Sequence, residues 1–245
     1  MNSLVNKTAL ITGGTSGIGE ACAKQLASAG ARVIIVGRNE GKGKAIEKEI
    51  NGSGGSCTFF CADISNDDEI IELEKKVFDK LGHINVLFNN AGIFPISPVL
   101  ESFERENCNF IFDTNISSMI MVTKAFLPHI ISTKGTVLNN ASIAGLQNFA
   151  SGQSYAYAAS KSAVIQFSKM MAKRYGGNFR TNCICPGVIE TPLYQNFDES
   201  KFSSRIPLGR VGTPQDIAKV VNFLVSDDAA YMNGSVVVVD GGITL

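Results

Sequence analysis

The sequence predicts an α/β protein built on one doubly wound, parallel sheet of about seven strands, with helices on both faces. Short apolar segments alternate along the chain with segments of helical period. Most of the apolar segments are continuously hydrophobic, which is typical of strands buried on both faces of a parallel sheet. No internal repeat, low-complexity tract or linker interrupts the alternation. We therefore expect a single domain over residues 1–245.

Each predicted strand is a short apolar or β-branched segment bounded by polar residues or glycine. The seven strands are "TALIT" (8–12), "RVIIV" (32–36), "CTFFCA" (57–62), "NVLFNN" (85–90), "GTVLNN" (135–140), "RTNCIC" (180–185) and "SVVVVD" (235–240). The segments between them carry apolar residues three and four apart, the spacing of a helix with one buried face. These predicted helices are 18–29, 40–50, 67–81, 102–128, 157–175 and 214–226. Helices between parallel strands imply right-handed crossovers.

One segment, 191–212, fits neither pattern because it mixes aromatic, charged, Ser, Pro and Gly residues without a clean period. It follows the carboxyl end of a strand, where open α/β sheets bind their ligands. We interpret it as a mobile substrate lid. An ordinary surface connection is the alternative.

Composition narrows the function classes. Lys+Arg and Asp+Glu both number 22, so no overall charge attracts nucleic acid or an anionic membrane. The N-terminus lacks a signal-peptide pattern, and no apolar stretch reaches the ~18 residues of a spanning helix. The six cysteines show no disulfide-scaffold spacing, which favours buried free thiols in a reducing cytoplasm. We interpret the two histidines, His83 and His129, as surface residues and expect no metal site.

A glycine-rich turn follows the first predicted strand. Its glycines permit a tight turn and a close approach of the backbone to a pyrophosphate, and the next helix presents N–H groups and its positive dipole end to the phosphates. A purely structural turn is the alternative. The predicted dinucleotide contacts of this turn are Gly13, Thr15, Ser16, Gly17, Ile18 and Gly19.

The G-x-x-x-G-x-G spacing of this turn resembles the short-chain dehydrogenase/reductase family, whose fold is of the Rossmann type. The resemblance runs along the whole chain through motifs in the family's order. They are "TGGTSGIG" (12–19), "NNAG" (89–92), "NI" (115–116), "NASIAG" (140–145), "YAASK" (157–161), "PGVIET" (186–191) and "VDGG" (239–242). The resemblance implies an NAD(P)-dependent oxidoreductase and a homotetramer.

The end of the second strand bears on the choice of dinucleotide. A carboxylate there would bind the ribose hydroxyls of NAD, and the family's NAD-preferring members carry Asp where this chain has Gly37. Gly37 is expected to leave the space open, and Arg38 suits a 2′-phosphate. NADP(H) is therefore predicted. NAD(H) stays open because Arg38 would also suit a solvated surface, Glu40 lies nearby, and Ser16 replaces a basic residue of many NADP-using relatives.

The resemblance places the remaining cofactor contacts at other strand ends. It implies that Asp63 accepts a bond from the adenine amino group and that Ile64 lies beside the ring. The "NNAG" motif is expected to be partly structural, and the "PGVIET" motif is expected to contact the nicotinamide carboxamide or the diphosphate. The residues implied by these two motifs are Asn89, Ala91, Gly92, Pro186, Gly187, Ile189 and Thr191.

Two tyrosines near the start of the predicted helix 157–175 are candidates for acid–base chemistry. At about 100° per residue, Lys161 lies ~40° around the helix from Tyr157 but ~240° from Tyr155. A lysine ammonium within ~4–6 Å favours the phenolate and would lower the phenol's pKa by ~1–3 units, so that one residue serves both directions. Tyr157 with Lys161 also matches the family's Y-x-x-x-K, in which the lysine binds the nicotinamide ribose. Tyr155 is expected to pack.

Two further residues complete the predicted catalytic set. Ser142 ends the fifth strand and would orient the substrate oxygen, with Ser151 and Ser154 of the following loop as alternatives. Asn115 lies inside a predicted helix, where Asn is usually neutral at best. The resemblance implies that this Asn kinks the helix and holds a water in a proton relay to the lysine; a satisfied core Asn is the alternative.

The function predicted from these residues is NADP(H)-dependent interconversion of a ketone and a secondary alcohol. An apolar pocket favours a hydroxysteroid, a bile acid or a similar small substrate. The alternative is a 3-oxoacyl-(acyl-carrier-protein) reductase, for which Lys201, Arg205 and Arg210 are only scattered basic candidates. A non-catalytic dinucleotide-binding sensor is the alternative of another class. The predicted pocket residues are Ile93, Phe94, Ile143, Phe149, Val188, Tyr194, Phe197 and Phe202.

Overall fold

Seven parallel strands form one sheet in the computed structural model, which describes residues 3–95, 100, 103–147, 155–192 and 200–245. Their order is β3-β2-β1-β4-β5-β6-β7. The strands are β1 (Thr8–Thr12), β2 (Arg32–Gly37), β3 (Ser56–Cys61), β4 (Val86–Asn89), β5 (Thr136–Asn140), β6 (Arg180–Pro186) and β7 (Val236–Val239). The predicted fold class is confirmed, and each predicted strand is present within two residues of its predicted ends.

Eight α-helices are found among the described residues. They are α1 (Gly17–Ser28), α2 (Glu40–Gly52), α3 (Asp67–Leu81), α4 (Arg105–Phe112), α5 (Ser118–Ser132), α6 (Tyr155–Tyr175), α7 (Ser200–Ser203) and α8 (Pro214–Val225). The short helix α7 lies in the predicted lid and was not predicted. Residues 193–199 of that lid lie outside the described residues.

The alternation of side chains along each strand produces a separate core on each face of the sheet. In β1, Ala9 and Ile11 pack with α1 and α8 on one face, whereas Leu10 packs with α3 and α5 on the other. All three are fully buried. Strands covered on both faces must be apolar at every position, which explains the continuous hydrophobic segments of the sequence.

The strand order reverses between β1 and β4, which pair with Ile11 opposite Phe88. The connections after these two strands leave toward opposite sides of the sheet. Such a switch point opens a crevice beyond the carboxyl ends of the strands, where doubly wound proteins bind ligands. Both clefts described below lie at this edge.

The predicted single helix over 102–128 differs from the structure in two ways. A π-helical turn over Asp113–Ser117 separates α4 from α5, and α5 continues past Pro128 to Ser132. The turn places Asn115 where its side chain binds a neighbouring loop instead of facing solvent. The last turn of α5 persists because Ile130 is fully buried in the same core as Phe126.

The continuous helical segment Arg105–Ser132 passes the length and composition test for a membrane span, with a mean hydropathy of 1.2 over its most apolar window. The prediction that no segment is long and apolar enough to span a membrane therefore does not hold by these two criteria. The buried core helix of a soluble protein meets both criteria as well. Val122, Phe126 and Ile130 of this segment are fully buried against β4 and α3, which accounts for its apolar character.

Two predictions about side-chain exposure were wrong. His129 is buried, and its Nε2 lies 2.6 Å from Glu74 Oε1, because the last turn of α5 packs against α3. His83 is exposed, as predicted. All six cysteines are free thiols, but Cys61 is exposed and Cys108 is only partly buried.

Candidate active site

A cleft of about 360 Å³ opens at the carboxyl edge of the sheet and continues into a smaller one of about 70 Å³. The larger volume falls within the range of small-molecule sites. The two clefts share six lining residues, so they form one continuous groove. These shared residues are Ile18, Asn90, Gly92, Ile93, Asn140 and Thr191.

The glycine-rich turn forms the floor of the larger cleft. Gly13 and Gly17 have φ values of +63° and +52°, in the left-handed region that favours glycine. A Cβ on Gly19 would lie only 2.1 Å from the carbonyl oxygen of Gly13, so the first turn of α1 packs directly on the loop. Each of the three glycines is therefore required by geometry. Thr15, Ser16, Gly17 and Ile18 line the cleft.

The N-terminus of α1 faces this cleft without a side-chain cap. Ser16 occupies the N-cap position, but within the described part of the chain its hydroxyl makes no capping hydrogen bond. The first N–H groups of a helix have no intrahelical partner and attract anions. This uncapped helix end and the glycine cradle fit the pyrophosphate of a dinucleotide.

One end of the larger cleft carries the two predicted charged contacts. Arg38 Nη1 lies 3.7 Å from Asp63 Oδ2, and the Arg38 side chain is 70% exposed. Asp63 also accepts hydrogen bonds from the N–H and hydroxyl of Ser65, at 3.0 and 2.7 Å. The Ser65 N–H, the Ser65 hydroxyl and the Arg38 guanidinium hold the pKa of Asp63 below its usual value, against a smaller opposing effect of burial. Ile64 lines the same end.

The space beside Gly37 is filled, contrary to the prediction that it is open. A Cβ added to Gly37 would lie 2.8 Å from Thr15 Cγ2 and 2.9 Å from Thr15 Oγ1. The glycine loop folds back over the end of β2, where the Gly14 N–H donates to the Val36 carbonyl at 3.2 Å. Thr15 is thereby held against the strand end.

The two asparagines of "NNAG" have different environments. Asn89 is buried and donates to Thr123 Oγ1 and Asn139 Oδ1, at 2.9 and 2.8 Å, away from the cleft. Its side chain therefore supports the sheet, as expected for part of this motif, and its cofactor contact stays a prediction. Asn90, which the sequence analysis missed, lines both clefts together with Gly92.

Asn90 fastens the glycine loop to the sheet. Its Nδ2 donates to the carbonyl oxygens of Thr12 and Gly13, both at 3.1 Å. Its Oδ1 accepts from Asn140 Nδ2 at 2.9 Å. The alternation of strand side chains shows that Asn89 and Asn90 face opposite sides, but it does not show which of them faces the groove. Ala91 lines the cleft next to it.

Lys161 is buried under the smaller cleft. Its Nζ donates to the main-chain carbonyl of Asn140 at 2.9 Å and lies 3.3 Å from the position of a Cβ on Gly92. Burial lowers the pKa of Lys161 from 10.5 to about 8, while Cys183 and Cys185 behind it favour the charged form more weakly. Gly92 therefore leaves the ammonium access to the groove.

Tyr157 lies on the same side of α6 as Lys161, as the helical spacing predicts. The Nζ of Lys161 is 5.7 Å from the centroid of the Tyr157 ring, and both residues line the smaller cleft. Phe94 packs edge-on against this ring, with a centroid distance of 4.6 Å. Tyr155, by contrast, is 49% exposed and lines neither cleft. The structure thus separates the two tyrosines as the sequence did.

Ser142 lines the smaller cleft with Tyr157 and Lys161. It caps the short 3₁₀ turn Ile143–Gly145, where its Oγ accepts from the N–H of Ala144 at 3.1 Å. This bond fixes the side chain at the end of β5 and leaves its hydroxyl hydrogen to donate elsewhere. The alternatives Ser151 and Ser154 lie outside the described residues.

The side-chain amide of Asn115 is hydrogen-bonded to other residues of the protein. Its Oδ1 accepts from the Ile93 N–H at 2.8 Å, and its Nδ2 donates to the Ile93 carbonyl and to Ser160 Oγ, at 3.0 and 3.2 Å. Ser160 in turn donates to the carbonyl of Tyr157 at 2.7 Å. The side chain therefore ties the loop after β4 to α6, as the alternative of a satisfied core Asn predicts. A proton relay through Asn115 stays a prediction.

The segment after β6 closes the other side of the groove. Pro186, Gly187, Ile189 and Thr191 line the smaller cleft. The Thr191 methyl group lies 3.2 Å from the position of a Cβ on Gly17, so this segment contacts the glycine loop directly. The predicted "PGVIET" contacts therefore gather at the groove.

The predicted substrate pocket is only partly described. Phe149, Tyr194 and Phe197 lie outside the described residues. Ile143 and Val188 are buried and line neither of the two described clefts, so their contact with substrate stays a prediction. Val188 joins a small core with Ile206, Val211, Phe202 and Ile243.

The groove thus combines a phosphate cradle, a buried ammonium and an adjacent phenol at the switch point of a doubly wound sheet, the arrangement of a dinucleotide-dependent oxidoreductase. A family model described as enoyl-(acyl carrier protein) reductase matches residues 13–244. A crystal structure of a short-chain type dehydrogenase/reductase from Mycobacterium marinum is 31% identical and covers 99% of this chain and 97% of its own, with a TM-score of 0.93. The protein belongs to the short-chain dehydrogenase/reductase family of oxidoreductases.

Two further relatives bear on substrate and cofactor. The 3-oxoacyl-(acyl-carrier-protein) reductase FabG of Chlamydia muridarum is 40% identical over 99% of this chain and 100% of its own length. The Pseudomonas aeruginosa RhlG/NADP active-site complex is 31% identical and covers 99% of this chain and 98% of its own, with a TM-score of 0.93. Among the described residues, no group of three His, Cys, Asp or Glu side chains is placed to hold a metal ion.

Proposed function

We propose that this protein is an NADP(H)-dependent 3-oxoacyl-thioester reductase that acts on acyl chains carried by acyl carrier protein. The observation that carries the chemistry is the buried Lys161 ammonium, 5.7 Å from the Tyr157 ring in the same cleft. The substrate class is supported by the Chlamydia relative, which matches over its whole length. A hydroxysteroid or bile acid, the first expectation from the apolar pocket, has less support than this alternative.

The residues of the larger cleft fit the proposed cofactor. Ser16, Gly17 and Ile18 would hold the pyrophosphate at the uncapped end of α1, and Arg38 would pair with a 2′-phosphate. Asp63 and its neighbour Ile64 would border the adenine. The NADP-bound Pseudomonas relative supports the same choice. NAD(H) is the competing cofactor in the assays below.

The chain's own groups then perform the acid–base part of the reaction. When bound, NADPH supplies a hydride to the ketone carbon. The Tyr157 phenol gives its proton to the ketone oxygen, so that C=O becomes CH–OH, and the charge left on the phenolate is stabilised by the Lys161 ammonium. The Ser142 hydroxyl donates a hydrogen bond to the same oxygen and holds it against the phenol.

Asn115 acts in this scheme as a positioning residue. Its bonds to Ile93 and Ser160 hold the loop that carries Gly92 next to α6. Since a Cβ on Gly92 would lie 3.3 Å from Lys161 Nζ, a shift of this loop would change the surroundings of the ammonium. A contribution of Asn115 to a water relay is an additional proposal.

Substrate choice is tested by parallel assays of NADPH oxidation at 340 nm. We expect acetoacetyl-(acyl carrier protein) to give a kcat/KM at least tenfold above acetoacetyl-CoA and a panel of oxo-steroids. A preference for an oxo-steroid would restore the hydroxysteroid hypothesis. Binding of NADPH without turnover of any ketone would favour the non-catalytic sensor.

Arg205 and Arg210 are the basic candidates of segment 191–212 whose side chains the structure describes. Arg210 is paired with Asp216 through two bonds of 2.7 and 3.2 Å, and this pairing holds the pKa of Asp216 far below its usual value. Arg205 is exposed. If carrier protein docks here, Arg205→Glu raises KM for the carrier-bound substrate and leaves KM for acetoacetyl-CoA unchanged.

Assembly and compartment complete the proposal. Large apolar side chains remain exposed on α4 and α6, including Phe110 at 57% and Met170 at 62%. Such side chains favour burial between subunits, in line with a homotetramer. Sedimentation tests this state directly.

The six free thiols favour a reducing cytoplasm. Closure of segment 191–212 as a lid is part of the same proposal.

A further inference from the structure

Gly37 is the last residue of β2 and lines the larger cleft next to Arg38. Its φ lies outside the left-handed region, so the backbone itself would accept any side chain there. Whether a side chain fits at position 37 is therefore decided by the neighbouring atoms.

That neighbour is Thr15 of the glycine loop. A Cβ on Gly37 would meet both branches of Thr15, Cγ2 at 2.8 Å and Oγ1 at 2.9 Å, while Thr15 Cβ is farther away at 3.5 Å. Contacts below 3.0 Å are not tolerated between carbon and these atoms. The collision thus involves Cγ2 and Oγ1 of Thr15 and not its Cβ.

Rotation about χ1 does not relieve this collision. The three staggered positions around the Thr15 Cα–Cβ bond hold two heavy atoms and one hydrogen, and two of these positions face Gly37. Every rotamer therefore leaves at least one heavy branch facing the strand. A serine has only one heavy branch, which it can turn to the third position. A valine keeps two heavy branches, so at least one of them faces Gly37 in every rotamer.

We propose that Thr15 is a specificity-determining residue that excludes any side chain, and above all a carboxylate, from position 37. This inference rests on the proposed use of a dinucleotide in the larger cleft. A carboxylate at 37 would bind ribose hydroxyls and repel a 2′-phosphate. Thr15 therefore keeps the end of β2 suited to NADP(H).

The charges at this end of the cleft strengthen the inference. Arg38 is 70% exposed and is paired only loosely, at 3.7 Å, with Asp63. A second carboxylate at position 37 would compete for the same guanidinium and reduce its attraction for a phosphate. By excluding that carboxylate, Thr15 keeps Arg38 available.

The steric claim is tested without turnover by a melting-temperature cycle. The variants are Gly37→Ala in the native, Thr15→Ser and Thr15→Val backgrounds, measured without nucleotide. We expect Gly37→Ala to lower the melting temperature by about 3 to 10 °C in the native and Thr15→Val backgrounds. In the Thr15→Ser background the change should stay within about 1 °C. Equal changes in all three backgrounds would overturn the inference.

The functional claim is tested by Gly37→Asp in the same three backgrounds, using kcat/KM for NADH divided by that for NADPH. We expect this ratio to rise at least tenfold more in the Thr15→Ser background than in the native or Thr15→Val background. Failure of Gly37→Asp to fold except when combined with Thr15→Ser would also support the inference. An equal rise in every background would refute it. If the native enzyme uses neither nucleotide, the proposed function fails, whereas the melting cycle still decides the steric claim.

Discussion

Replacement of Lys161 by Met provides a quantitative test of how the active-site ammonium is held. Lys161 is 4% exposed, and burial lowers its pKa from 10.5 to about 8. Each pKa unit corresponds to about 1.4 kcal/mol, so keeping the charge in the folded protein costs about 3 kcal/mol below pH 8. Met has a similar length and no charge, and therefore removes this cost.

The sign of the pH dependence follows from proton binding. Between pH 8 and 10.5 the unfolded chain holds a proton on Lys161 that the folded protein has lost, so the stability of the native enzyme rises with pH in this window. The penalty is present in full below pH 8 and disappears toward pH 10.5. Relative to Lys161→Met, the free energy of unfolding of the native enzyme should rise by about 2 kcal/mol from pH 7 to pH 10.

The assay is urea denaturation of both proteins at fixed concentration, without nucleotide, at pH 7, 8, 9 and 10. Subtracting the two curves cancels the titration of every group that the variants share. Lys169→Met, on the exposed side of α6, is the matched control for replacing a lysine of this helix by methionine. A flat difference between the native enzyme and Lys161→Met would refute the buried-ammonium account.

Two further predictions concern the cradle and the far end of the sheet. Gly19→Ala should weaken NADPH binding at least tenfold by fluorescence titration, because its Cβ would lie 2.1 Å from the Gly13 carbonyl, whereas Gly52→Ala, in open space, should leave binding unchanged. Arg180→Ala should lower the free energy of unfolding by about 2–4 kcal/mol in urea, since its guanidinium donates to three carbonyls at and beyond the end of α8, at 3.1 to 3.2 Å. Exposed Arg174→Ala is its control and should change stability by less than about 0.5 kcal/mol.

Much of the fold could be predicted from local pattern alone. A strand such as Thr8–Thr12, buried at every position, must be apolar throughout, and this signal survives in the sequence without knowledge of its neighbours. The same is true of the spacing between Tyr157 and Lys161, because both belong to one helix whose geometry is fixed. These predictions depended on one element at a time.

The predictions that failed depended on two elements meeting. Nothing near Gly37 in the sequence indicates that Thr15 fills the space beside it, since the contact joins a loop to the next strand. His129 is buried only because α5 packs against α3, where its Nε2 lies 2.6 Å from Glu74 Oε1. The choice between Asn89 and Asn90 likewise required knowing which face of β4 turns toward the groove.

The central claim is that the Tyr157 phenol, beside the buried Lys161 ammonium, supplies the proton in hydride-transfer chemistry. The most direct measurement compares Tyr157→Phe with Tyr155→Phe for NADPH-dependent reduction of acetoacetyl-(acyl carrier protein), alongside NADPH affinity. We expect Tyr157→Phe to lower kcat at least ~10²-fold while NADPH affinity changes less than about threefold. Tyr155→Phe, at a half-exposed position, should match the native enzyme. Undiminished turnover by Tyr157→Phe would contradict the account.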